Sequence, residues 1–245
     1  MMNICYNEYL EALFEEWNAL SLKNGHGIIT KDGLMRKKDT DVNILWAHSP
    51  KRVMFLLKDQ PYSEGDDIRN WMILPDTDKN AARNRNFSST FLKRLSYLFY
   101  GLMHNVVAWE SITKELVVEC FNSCPVAFVE AKKQSGTSSV KNSEMDRNIQ
   151  KYKDFLIKEI NILQPNIIVC CGGPQYDFVL NMLYDKSQLE LIDQNVYCDL
   201  VGKKVIIYAP HPSYRRMSHE GYFESVMWHW KKFMEKYPDF PNISP

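Results

Sequence analysis

KKVIIYAPHPSYRR, Lys203–Arg216, joins two unlike halves. Its first half is an apolar, β-branched run that reads as a short buried strand. Pro210 has no N–H to offer a ladder, so the strand must stop there. Two prolines then bracket His211, and Ser213, Tyr214, Arg215 and Arg216 follow. A rigid, basic, histidine-bearing turn is an unusual way to end a core strand, and the rest of the chain explains it.

Three more segments have the same character. RVMFLLK (52–58), PVAFVEA (125–131) and NIIVCCG (166–172) are short apolar runs. Helical periodicity fills the intervals. Leu10, Leu13, Phe14, Trp17 and Leu20 share one face over 7–22. Phe91, Leu95, Leu98 and Leu102 do so over 87–103, with Ser88 or Ser89 as N-cap. Ser143 and Asp146 resemble a capping box opening a helix that Pro165 ends. Residues 175–184 read as a short helix, and Tyr222, Val226, Trp230 and Phe233 mark the last one. Strands apolar on both faces and separated by helices imply a parallel sheet covered by helices. The expected fold is therefore α/β: one domain over 1–245, with a four-stranded parallel sheet flanked by helices and an N-terminal helical extension over 1–48.

In a parallel sheet the carboxyl ends of the strands open on one edge, which holds the ligand crevice. The sequence places KDQPYSEGDD, Glu130 with AKKQSG, GGPQ and PHPSYRR at that edge. Acids, a histidine, glycines and cations are thus gathered in one place. Composition bounds what they can do. Lys plus Arg and Asp plus Glu number 30 each, so formal net charge is zero, against a sequence-blind electrostatic coat for nucleic acid but not against a local basic rim. No apolar run approaches the ~18 residues of a membrane span, and MMNICYNEYLEALFEEW lacks the pattern of a signal peptide. The six cysteines, two of them inside NIIVCCGG, read as reduced packing residues of a cytoplasmic protein. Cys120 and Cys124 lack a second close Cys/His pair, so no metal is expected. No cofactor is expected either.

Order, context and spacing together resemble the uracil-DNA glycosylase superfamily over roughly residues 50–230. The family's first motif, Gly-Gln-Asp-Pro-Tyr or a relative, has its counterpart in Lys58–Tyr62, KDQPY. Its last motif, His-Pro-Ser, is matched in full by His211-Pro212-Ser213. Phe87 stands where the family's base-stacking aromatic precedes a helix, and QSGTSS supplies a serine-bearing phosphate loop through Ser135. There are departures. Gln60 holds the activating position usually occupied by Asp, Asn or Ala, Lys58 replaces the opening glycine, and Glu130 stands at the place of the base-reading asparagine.

The resemblance implies a DNA glycosylase that flips a uracil-like or modified pyrimidine into a pocket and hydrolyses its N-glycosidic bond. His211 would donate to the leaving base, as in an oxyanion hole. Glutamine can orient a water but cannot take its proton, so a neighbouring carboxylate is expected as base, Asp59 ahead of Asp66, Asp67 and Glu64. Tyr62 and Phe87 would wall and stack on the base, and Glu130 would read it. Lys132, Lys133, Ser135, Ser213, Arg215 and Arg216 would contact DNA, with Tyr214 or Met217 as wedge. An ionised Glu130 offers acceptors only, which suits the 4-amino group of cytosine better than O4 of uracil. The expected substrate is a cytosine-type base altered at C5, as a defence enzyme against viruses with modified DNA would need. DNA is the expected partner, without a membrane, and the protein is expected to be a monomer. The alternatives are a superfamily member that has lost catalysis and binds nucleic acid or a nucleotide, and an unrelated nucleoside-processing enzyme.

Overall fold

The computed structural model describes residues 5–61, 65–71, 73, 89–105, 108–136, 142–172, 181 and 183–242, the side chains of 59–61, 135, 136, 142 and 186 excepted. The buried strands are where the apolar runs predict them. β1 is Gly33–Leu34, β2 Val53–Pro61, β3 Val126–Gly136, β4 Ile167–Cys171, β5 Glu190–Asp193, β6 Val196–Asp199 and β7 Lys204–Ala209. The helices are α1 Tyr6–Lys23, α2 Val42–His48, α3 Thr90–His104, α4 Lys114–Ser123, α5 Asn142–Leu163 and α6 His219–Lys236.

Among the described residues one sheet runs in the order β1-β3-β2-β4-β7-β6-β5. Its centre, β3-β2-β4-β7, is the expected four-stranded parallel sheet. The expectation of four strands in all is too few. A two-residue β1 pairs antiparallel with β3, and an antiparallel β5–β6 hairpin continues the sheet beyond β7. Both additions cover edges that a four-stranded sheet would leave open to pairing with another chain. The hairpin segment is short and half-exposed, so it lacks the continuous apolar run that marks the central strands.

The two faces of the central strands bury separate cores, because successive side chains point to opposite sides. Val53, Phe55, Leu57, Val126, Phe128, Val169, Cys171 and Ala209 face α3, α4 and α6. Met54, Leu56, Ala127, Val129, Ile168, Cys170 and Tyr208 face α1, α2 and α5. Ser89 caps α3 as expected, its side chain accepting from Leu92 N. α5 starts at Asn142, one residue before the expected cap, so Ser143 lies in the first turn. α3 and α6 meet closely at Gly101, where a Cβ would lie 2.6 Å from the Phe223 ring.

The N-terminal segment is built into the domain rather than laid beside it. Gly33 has φ +108°, a backbone conformation that glycine tolerates best, and this bend follows the fully buried Asp32. Asp32 accepts from Glu130 N at 2.6 Å and pairs with Lys133. Lys133 also pairs with Glu159 of α5 at 2.7 Å, and Trp17 and Phe14 of α1 lie against its ammonium. A second set of ions joins Glu11, Arg69, Asp67 and Arg36.

Candidate active site

The turn after β7 is organised around one ring. Ser213 N donates to His211 Nδ1 at 3.2 Å, and Tyr214 N donates to the His211 carbonyl at 2.8 Å. A ring nitrogen that accepts a backbone N–H carries no proton, so in neutral His211 the proton is on Nε2. Burial first, and the ammonium of Lys58 second, hold the imidazole below its ordinary pKa. Both disfavour imidazolium. The result is a half-buried neutral histidine with Nε2–H as its one donor, with the Phe91 ring centred 6.3 Å away.

A buried arginine holds that turn in place. Arg94 of α3 is 3% exposed and donates to the carbonyls of Pro212 at 2.9 Å and Tyr214 at 2.7 Å, and to that of Met217. The planar fork of a guanidinium can satisfy several carbonyls at once, which an ammonium cannot do in the same geometry. Tyr222 of α6 lies under the guanidinium, 5.2 Å from ring centre to Cζ, and its hydroxyl donates to Pro210 O at 3.1 Å. Gly172 N, just past β4, donates to Ala209 O at 2.9 Å. The His211 turn is therefore tied to α3, α6 and β4. Arg94 was missed in reading the sequence, yet it left a signal: it sits three residues after Phe91, within the stripe Phe91, Leu95, Leu98, where a charge must be buried with partners. We expect Arg94→Lys to fold but to lower any N-glycosyl hydrolysis at least about tenfold, because an ammonium is a point donor without the planar fork that spans these three carbonyls. Wild-type single-turnover rates in the variant would contradict this.

Glu130 lies in the same row as the crevice end of the sheet. It is paired with Leu57 across β3–β2, and Cys171 with Ala209 across β4–β7. Two residues beyond Phe128, it shares the face that carries Phe128, Leu57, Cys171 and Ala209. It is 2% exposed and close to the Cys171 thiol, which burial first, and Glu130 last, push up. The row thus runs from Glu130 toward the Pro210–His211 turn.

The other residues singled out in the sequence divide three ways. The backbones of the two remaining motifs meet: Asp59 pairs with Lys132, and Pro61 with Gly136, with an irregularity between. The side chains of Asp59, Gln60 and Ser135, and Tyr62, Glu64, Phe87 and residues 175–180 altogether, lie outside the described residues. Ser213, Arg215 and Arg216 are exposed on the turn, and Tyr214 is 45% exposed, whereas Met217 packs against the core. Lys132 is buried and donates to Gln134 O at 2.7 Å.

Lys133 requires a correction. It was expected at the DNA surface, but it is fully buried and its ammonium is held by Asp32 and Glu159. Alternation along β3 turns it under α1, away from the face that Glu130 occupies. Asp67 is likewise committed to Arg69 and Arg36, while Asp66 is exposed and its carbonyl accepts from Lys31 N. Among the described residues no cluster of His, Cys, Asp and Glu is arranged to hold a metal ion, and no helix is long and apolar enough to cross a membrane.

Residues 47–236 match the family model for the Uracil DNA glycosylase superfamily, a span that runs from the end of α2 to the end of α6 and leaves α1 and β1 outside. No curated protein matches the chain.

Proposed function

Because the chain belongs to the uracil DNA glycosylase superfamily, whose members act on DNA and hydrolyse N-glycosyl bonds, we propose that it excises a modified pyrimidine from DNA, with His211 as donor to the leaving base. The observation that carries this reading is the Ser213 N–H on His211 Nδ1, which leaves Nε2–H as the donor. Cleavage of the bond between C1′ and N1 sends its electron pair into the base, where negative charge collects on O2. A neutral N–H donor is suited to that charge, and the tied turn keeps it oriented without reorganisation. Water adds to C1′ and must lose a proton. Gln60 cannot take it, so a carboxylate of the 59–67 segment does, Asp59 first and Asp66 after it. Tyr62 and Phe87 enclose the flipped base. Ser135, Ser213, Arg215 and Arg216 contact the strand, with Tyr214 as the wedge.

Glu130 is our proposed reader of the base. Its place in the row toward His211 supports this, as does the chemistry of a carboxylate facing an exocyclic amine. The substrate we propose is a cytosine altered at C5, because an enzyme removing ordinary cytosine would damage its own genome, and the role is defence against viruses with modified DNA. The test uses duplexes bearing uracil, 5-hydroxymethylcytosine or its glucosylated form, with alkaline cleavage at any abasic site. Cleavage is expected at a modified cytosine. Release from the uracil duplex alone would remove Glu130 as reader of a 4-amino group. Binding of DNA with no abasic site on any duplex would favour a non-catalytic superfamily member, the reading that Gln60 supports.

A further inference from the structure

A second charged concavity lies beside β3, at the same end of the sheet as the His211 turn. It has a volume of about 490 Å³ and lies between His26, in the segment after α1, and the first turns of α5. Its cationic lining is Lys132, Arg147 and Lys151, beside the imidazole of His26 and against the single carboxylate of Glu144. In a chain whose formal net charge is zero this is a local excess of positive charge. Among the described residues neither Arg147 nor Lys151 forms an ion pair. Arg147 donates to the Ser143 carbonyl at 3.2 Å. Burial first, then the ammoniums of Lys151 and Lys132, hold the His26 imidazole below its ordinary pKa, which registers the same positive field.

The walls are built rather than incidental. Gln134 is fixed at three points: its Nε2 donates to Ser21 Oγ at 3.0 Å, its Oε1 accepts from Asn148 Nδ2 at 2.9 Å, and its carbonyl accepts from Lys132 Nζ at 2.7 Å. His26 Nδ1 and Tyr152 OH share a hydrogen bond of 2.9 Å. α1, β3 and α5 are thereby locked together around the opening, and the exposed cations stand at its rim. Arg147 and Lys151, without an ion pair among the described residues on a rigid concave wall, suit the phosphate group, which carries charge and several acceptors.

We propose that this cleft is a phosphate subsite that holds a backbone phosphodiester of the bound DNA strand, away from the nucleotide at His211. It uses His26, outside the stretch that matches the superfamily, and so extends the DNA footprint onto the N-terminal segment. The proposal rests on the DNA-acting reading above, and the test separates the two. Arg147→Glu/Lys151→Glu alters two exposed side chains, and Arg147→Gln/Lys151→Gln serves as the milder pair. Anisotropy of a labelled duplex is followed across a series of KCl concentrations, and the His26 ring resonances are followed by NMR against inorganic phosphate. In the reversal pair we expect the slope of log K on log salt to fall by roughly 1–2, and the low-salt Kd to rise roughly tenfold. The His26 response to phosphate should be lost with the charges. A DNA slope unchanged in the reversal pair overturns the proposal, whatever phosphate does. A wild type that binds no DNA sinks the glycosylase reading instead; a phosphate-dependent His26 shift would then support a free phosphoryl ligand as the cleft's occupant, and no shift would overturn the site altogether.

Discussion

His211→Ala is expected to slow single-turnover excision by roughly 10²- to 10³-fold, the usual loss when one oxyanion donor is removed, while duplex affinity stays nearly unchanged. Among the described residues the side chain accepts only from Ser213 N, within its own turn, and the backbone of that turn is held by Arg94 and Tyr222. Its removal therefore takes away the donor and leaves the loop. A pH profile distinguishes this from a structural role. The neutral ring is the active form, and burial with Lys58 keeps it neutral below its ordinary pKa. Wild-type rates should fall on the acid side with a midpoint below pH 6.5, where the ring takes a proton. The variant should lose that limb. Equal rates for variant and wild type, or a wild-type midpoint above pH 6.5, would refute the assignment.

Lys133→Ala is expected to have the largest effect on stability, a loss of about 3–5 kcal/mol. It removes the only ammonium joined to Asp32 and Glu159 among the described residues and leaves two buried carboxyl groups facing each other. Against a typical total of about 5–15 kcal/mol this is a large fraction. Burial first, and then the Asp32 charge, push the Glu159 carboxyl well above its ordinary value. A raised carboxyl pKa means that the stabilisation is fully present below the unfolded value and is lost as pH rises through the folded one. Glu159→Gln imitates the protonated form. It should lose less stability than the wild type as pH rises. Urea denaturation of the two variants across pH checks both statements. A loss under about 1 kcal/mol for Lys133→Ala would show that the network contributes little.

The central strands could be read in advance because each is apolar on both faces, a pattern that only a sheet covered on both sides requires. The histidine turn was equally legible: Pro210 ends β7 by chemistry local to one residue, and the order His-Pro-Ser is unbroken. The Ser89 cap rests on contacts three residues long. The β5–β6 hairpin was not legible, because its half-exposed residues lack a continuous apolar run and its place is set by pairing with β7.

Side-chain fate along β3 shows the limit most clearly. Glu130, Lys132 and Lys133 read alike in sequence, as charges after an apolar run at the crevice edge. Alternation of the strand and the arrival of Asp32 from 101 residues away separate them, sending Lys133 into the interior. Arg94 meets Pro212 across 118 positions of chain. The layer architecture, the edge at which chemistry gathers and the histidine that stands there are written along the chain, because they follow from periodicity and from proline's missing N–H. Which charges are ligands of the core, which tautomer His211 adopts and what holds its turn emerge with the folded chain. Those depend on partners remote in the chain, or on the exact fold of the turn, and no local pattern encodes them.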